Sequence, residues 1–177
     1  MQSISLNASD QDLKAALAVT SAVSLADMRL VQAEVVNTMP DWSPSHATQL
    51  RVDVDPTESS FAVIGERRLA VRVGLCVKIV PAEGPANRPQ GAVVKVVYVA
   101  EYLLPKPPIP PQVEKEGFAA FARTNAVFNC WPYLREEIQH LTTAMGMPVI
   151  IPLLKVNIGE SPAPRPMSAE NEVVTAK

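Results

Sequence analysis

Between Val127 and Met145 the apolar residues Val127, Trp131, Leu134, Ile138, Leu141 and Met145 recur at alternating steps of four and three. That spacing lays them along one narrow stripe of a helix, with Arg135, Glu136, Gln139, His140 and Thr143 off the stripe. A helix with one narrow apolar stripe cannot enclose a core alone. It needs a flat apolar partner, and that need constrains the fold more than any other feature of the chain. Pro132 lacks an N–H, so the helix is expected to start or kink there. Gly146 followed by Pro148 is a stop signal.

The upstream sequence supplies the flat partner. Leu25 to Val36 is rich in Val, Leu and Met without strict alternation. Leu50, Val52 and Val54 then alternate with Arg51, Asp53 and Asp55, a half-exposed strand expected to end at Pro56. From Arg68 to Val80 the residues Leu69, Val71, Val73, Leu75, Val77 and Ile79 share one face, opposite Arg68, Arg72 and Lys78. Gly91 to Leu104 puts Val94, Val96, Tyr98, Ala100, Tyr102 and Leu104 on one face, and Val93, Lys95, Val97, Val99 and Glu101 on the other. Four extended segments with short connections predict an antiparallel meander or Greek-key sheet.

The connections have their own chemistry. Pro40 and Pro44 bracket Trp42 in a loop, Asn37 to Ser45, that can join neither a helix nor a central ladder. Its Trp either packs on the sheet or is offered to a partner. Pro81 to Pro89 is a polar turn. Pro105 to Pro111 holds five prolines, a stiff polyproline connector more than an SH3-type ligand. Val113 to Asn125 is expected to be helical, with Phe118 and Phe121 on one side. Residues 1–24 form an N-terminal extension in which Ser9, as N-cap with Asp12 in the first turn, predicts a short helix over 9–22. Residues 157–177, rich in Pro and small polar residues, are expected to be a disordered tail.

Composition narrows the function classes. Formal charge is -2 over 177 residues, so there is no electrostatic case for nucleic acid or anionic lipid. No run approaches the roughly 18 apolar residues of a membrane span. Asp10 and Asp12 stand where a signal peptide would be basic, so cytoplasmic residence is expected. Cys76 and Cys130 form no CxxC pair, and reduced core thiols are expected. There is no phosphate loop, no nucleophile elbow and no metal-spaced cluster. His46 and His140 lack partners at a telling spacing, and Glu136-Glu137 is a charged helix face. No enzyme, cofactor or metal is expected.

The chain resembles the SecB family of protein-export chaperones over about residues 25–156. The resemblance is carried by Asp27, the Asp41-Trp42-x-Pro44 loop and the Val52-Asp53-Val54-Asp55 strand. It continues in the Trp131-Pro132-Tyr133-x-Arg135-Glu136 helix opening, and in Gly146-x-Pro148 leading to Pro152-Leu153. It implies an α+β fold: a four-stranded antiparallel sheet with C-terminal helices packed on one side, assembling as a dimer of dimers. It also implies a nucleotide-independent holdase that binds unfolded or precursor polypeptides in apolar grooves. The groove is expected around Trp42, Phe128, Trp131, Tyr133, Leu134 and Met145, with core or dimer-interface roles as the alternative for Trp131 and Tyr133. Family members that deliver clients to the SecA motor dock through an acidic sheet surface. Here Asp27 alone carries over, because Val31 and Lys95 stand where the family has acidic residues. Other family members are dedicated chaperones of antitoxins. A third reading, from another class, is an oligomeric adaptor or structural protein that uses the sheet only for self-assembly.

Overall fold

The computed structural model describes residues 4–39, 50–65, 67–81, 91–105 and 111–158. The β-branched runs form four long strands: β2 (Ser24–Asn37), β3 (Leu50–Ile64), β4 (Arg68–Pro81) and β5 (Ala92–Leu103), following a short β1 (Ile4–Ala8). They make one antiparallel sheet in the order β2-β5-β4-β3. Three hairpin-connected strands with the remaining one beside the last is the Greek-key choice of the two expected topologies. One boundary differs from expectation: β3 does not end at Pro56 but continues to Ile64. It is an edge strand with a register shift between Pro56 and Glu58, and at such a bulge a missing N–H interrupts no interior ladder.

The alternating faces fall as the pattern requires. Leu69, Val71, Val73, Leu75, Val77 and Ile79 of β4, with Ala92, Val94, Val96, Ala100 and Tyr102 of β5, are buried on one side under the helices. Helix α1 (Asp10–Thr20) opens on Ser9, whose Oγ accepts from Asp12 N. The Asp12 carboxylate accepts from Arg123 at 2.7 Å, which ties α1 to the C-terminal helical region. That region is one helical run: α2 (Pro111–Phe121), a π-helical turn (Ala122–Ala126) and α3 (Val127–Ala144). Pro132 therefore does not start the helix; it lies inside α3. Ser59 of β3 donates to the Ala122 carbonyl in the π turn at 2.8 Å. Such a hydroxyl satisfies a carbonyl where the ladder changes pitch. Phe121 meets Tyr102 edge-on at 4.9 Å, and Phe118 meets Phe61 at 5.9 Å.

Gly146, at φ +73°, ends α3 in the left-handed conformation that glycine adopts without penalty. The following segment, 147–153, folds back against α3, burying Met147, Val149 and Ile151 and exposing Ile150 and Leu153. Thr142, fully buried, is the pivot. Its hydroxyl donates to Ile138 O and accepts from Val149 N. Thr142→Val keeps the shape but leaves a buried N–H unpaired, so denaturant titration should show a loss of about 1–3 kcal/mol.

The segment ends in β6 (Leu154–Ile158), which pairs in parallel with β1. Two expectations change here. The N-terminal extension contributes a strand as well as a helix. Asn157 and Ile158, assigned to the tail, belong to β6; residues 159–177 lie outside the described residues, as do 106–110 of the proline-rich connector. Both thiols are free and buried, and burial pushes the Cys130 thiol up to about 12.

Candidate polypeptide-binding surfaces

Helical geometry divides the expected groove residues. Trp131 and Leu134 project into the core and are buried, at the centre of a stripe that also includes Cys130, Ile138 and Thr142. Met145 and Val127, at the ends of the stripe, are half-buried. Phe128 and Tyr133 are exposed. Five residues of α-helix turn through about 500°, so these two lie about 140° apart around the axis, on different flanks. They form no single groove. Trp42 and His46 lie outside the described residues.

The Tyr133 flank lies over β5, the strand that pairs with β2. Tyr133 and Tyr98 have ring centroids 5.9 Å apart, and Asn129, one turn earlier, donates to the Tyr102 hydroxyl. Burial raises the pKa of Tyr98, with Glu137 and Glu136 adding to it, so the acidic side of α3 overlooks the same strand. Tyr98 pairs with Leu30, Val96 with Ala33 and Val94 with Val35. Directly opposed residues of antiparallel strands share a face, so Leu30, Ala33 and Val35 extend the apolar floor beyond the helix. Among the described residues β2 pairs only with β5, and Leu25, Leu30, Val31, Val35 and Val36 are all exposed. The absence of alternation in this segment is the sequence signal for a strand covered on neither face.

The Phe128 flank faces the returning segment. Trp131 Nε1 donates to Pro152 O at 3.2 Å, and Arg135 Nε donates to Ile151 O at 2.7 Å. Residue number rises along the segment as it falls along the helix, so the two run antiparallel and Leu153 heads toward Phe128. Phe128 is 59% exposed, Ile150 71% and Leu153 70%. Three large apolar side chains thus stand in water on a backbone pinned by a buried indole and a guanidinium. Ile150 carries no signal in a single sequence beyond its alternation with Val149 and Ile151, and Leu153, in phase with those buried residues, carries none.

Asp27 lies on the far face of the sheet. Its carboxylate pairs with Arg29 at 3.1 Å, Arg29 reaches Glu101 at 2.6 Å, and Arg68 reaches the other Glu101 oxygen at 3.2 Å. Two acids and two guanidinium groups cancel. Farther along, Asp53 pairs with Arg51 and Asp55 with Lys78. Among the described residues no group of acidic, His or Cys side chains could hold a metal, and no helix is long and apolar enough to cross a membrane.

No protein-family model matches the sequence, and no curated protein matches it. Among solved structures, a Streptococcus agalactiae protein of unknown function superposes with a TM-score of 0.36 at 12% identity, over 74% of this chain and 97% of that one. A SecB-like chaperone of Mycobacterium tuberculosis, solved with a peptide from the HigA1 antitoxin, superposes with a TM-score of 0.66. It covers 81% of this chain and 99% of that one at 19% identity. The fold is SecB-like. This agrees with the expected class, an antiparallel sheet with the C-terminal helix on one side.

Proposed function

We infer that the protein is a polypeptide-binding chaperone that holds extended, unfolded segments without nucleotide. The observation that carries this reading is the exposure of Phe128 on α3 and of Ile150 and Leu153 on the returning segment, whose backbone Trp131 and Arg135 tie to the helix. Preformed apolar surface of this kind binds chain segments by area, with little reorganisation to pay before contact. The SecB-like fold, and the peptide bound by the M. tuberculosis neighbour, support the reading. Trp42 and Met145 would extend the client surface, while Trp131 and Leu134 support it from beneath. The second apolar surface, β2 with Tyr133, serves self-assembly toward a dimer of dimers.

A dedicated client, such as an antitoxin, is the second reading. It is favoured over delivery to SecA by the pairwise cancellation of charge around Asp27, which removes the acidic docking face. Cytoplasmic residence goes with either client.

The test is light scattering of the full chain with reduced, carboxymethylated lactalbumin. A general holdase carries this probe in a stable complex; a dedicated chaperone binds it weakly and is saturated by one tight partner. Phe128→Asp combined with Leu153→Asp should weaken probe binding about tenfold or more, with the native mass unchanged. Equal binding by the double variant would remove the client from this flank.

A further inference from the structure

The parallel pairing of β1 with β6 stands apart from the main sheet. The two strands form a two-stranded ribbon in continuous register, from Ile4 opposite Leu154 to Ala8 opposite Ile158. A two-stranded ribbon is marginal in water, and parallel pairing is weaker per residue than antiparallel. Yet β6 is the direct continuation of the segment that presents Ile150 and Leu153. Its extended backbone leads away from the apolar row and ends up covered by the chain's own N-terminal residues.

β1 is also built to leave. Directly after Ala8, Ser9 caps α1, and α1 is anchored by the Asp12–Arg123 pair and by buried Ala16 and Val19. The arm 4–8 can therefore peel away from β6 while α1 stays docked, giving up the ribbon's pairing and the burial of Ala8. What it would uncover is a strand edge of five residues, about 17 Å, contiguous with the exposed Leu153. An extended polypeptide that lays apolar side chains over Phe128, Ile150 and Leu153 can continue into this edge by strand addition.

We propose that β1 is an intramolecular occupant of a strand-addition site on β6, and that a bound client segment displaces it. The proposal rests on the client surface assigned above and adds the regulation of that surface. The client is recognised as an extended backbone with apolar side chains, and the N-terminal arm sets how much of the site is open. Affinity for the client is then the intrinsic affinity scaled by the fraction of molecules with β1 detached. If that fraction is about one tenth, removing the arm tightens binding about tenfold.

The test joins the register partners Leu6 and Val156 as Leu6→Cys with Val156→Cys. Paired positions on neighbouring strands have Cα atoms about 5 Å apart, within disulfide reach. The native thiols, both buried, do not compete. The probe is again reduced, carboxymethylated lactalbumin, now measured by fluorescence anisotropy. The oxidised variant should bind about tenfold or more weakly than wild type and recover fully on reduction. Deletion of residues 2–8, checked for unchanged native mass, should tighten binding. If oxidised and reduced forms bind equally while wild type binds well, β1 is a structural strand and the proposal fails alone. If neither wild type nor the deletion variant binds the probe or any extended peptide, the chaperone reading fails and takes the proposal with it.

Discussion

Trp131→Ala is expected to cost about 3–5 kcal/mol of folding free energy, the range for removing a large aromatic from a packed interior. Trp131 is 4% exposed, next to Leu134 and Ile138 on the buried stripe of α3. Its loss opens a cavity against the sheet and removes the donor to Pro152 O, one of the side-chain bonds that hold the returning segment to α3. Denaturant unfolding should therefore show the largest shift of any single substitution in α3. Trp131→Phe separates the two contributions, keeping most of the volume and losing the hydrogen bond, at about 1 kcal/mol for that bond. Were Trp131 instead a direct client contact, the Ala variant would keep its stability and lose only client binding. That result would overturn its assignment to the core.

The core was legible because it obeys period. The alternation from Arg68 to Val80 selects the buried face of β4, and the four-three spacing selects Trp131, Leu134 and Ile138 at the centre of α3. Val127, Leu141 and Met145 are only half-buried, however, and Cys130 and Thr142 are buried off that spacing. Local rules that depend on a residue's neighbours in space were less legible. Pro56 reads as a strand terminator, yet an edge position with a bulge admits it. Pro132 reads as a helix start or a kink; the run from Pro111 passes through it, so it is not a start, and tertiary packing of both ends outweighs one missing hydrogen bond. The parallel ribbon was not legible at all. Ile4–Ala8 and Leu154–Ile158 lie at opposite ends of the chain, and no local pattern announces a pairing of that separation. The expected site mixed environments because apolar and aromatic identity, without the position of each residue around the helix, selected its members. Trp131 and Tyr133 are two residues apart, which on a helix means about 200° and opposite fates: one packed beneath the surface, the other exposed with its ring tilted against Tyr98 of β5.

Charging β2 should dissolve the self-assembly proposed for it. The two edges of the sheet are built differently: β3 carries Pro56, a bulge, Asp53 and Asp55, all devices that discourage further pairing. β2 is fourteen residues long and exposes Leu25, Leu30, Val31, Val35 and Val36. A long edge with apolar side chains on both faces suits a second copy of itself in antiparallel, isologous pairing, because the two-fold axis presents the same row from either side. Such pairing would also bring the Tyr98–Tyr133 flanks of two protomers together across the joined sheet. Leu30→Asp combined with Val35→Asp places like charges in that row and repeats them across the axis, where each opposed pair is destabilising. Wild type is expected at a multiple of its 19.1 kDa chain mass, and the double variant at 19.1 kDa with its circular dichroism unchanged. Leu17→Asp, at an apolar and still more exposed position on α1, is the control and should leave the mass alone. A wild-type monomer, or a double variant that keeps the wild-type mass, would take self-assembly away from β2. The open edge would then be free to pair with a client strand.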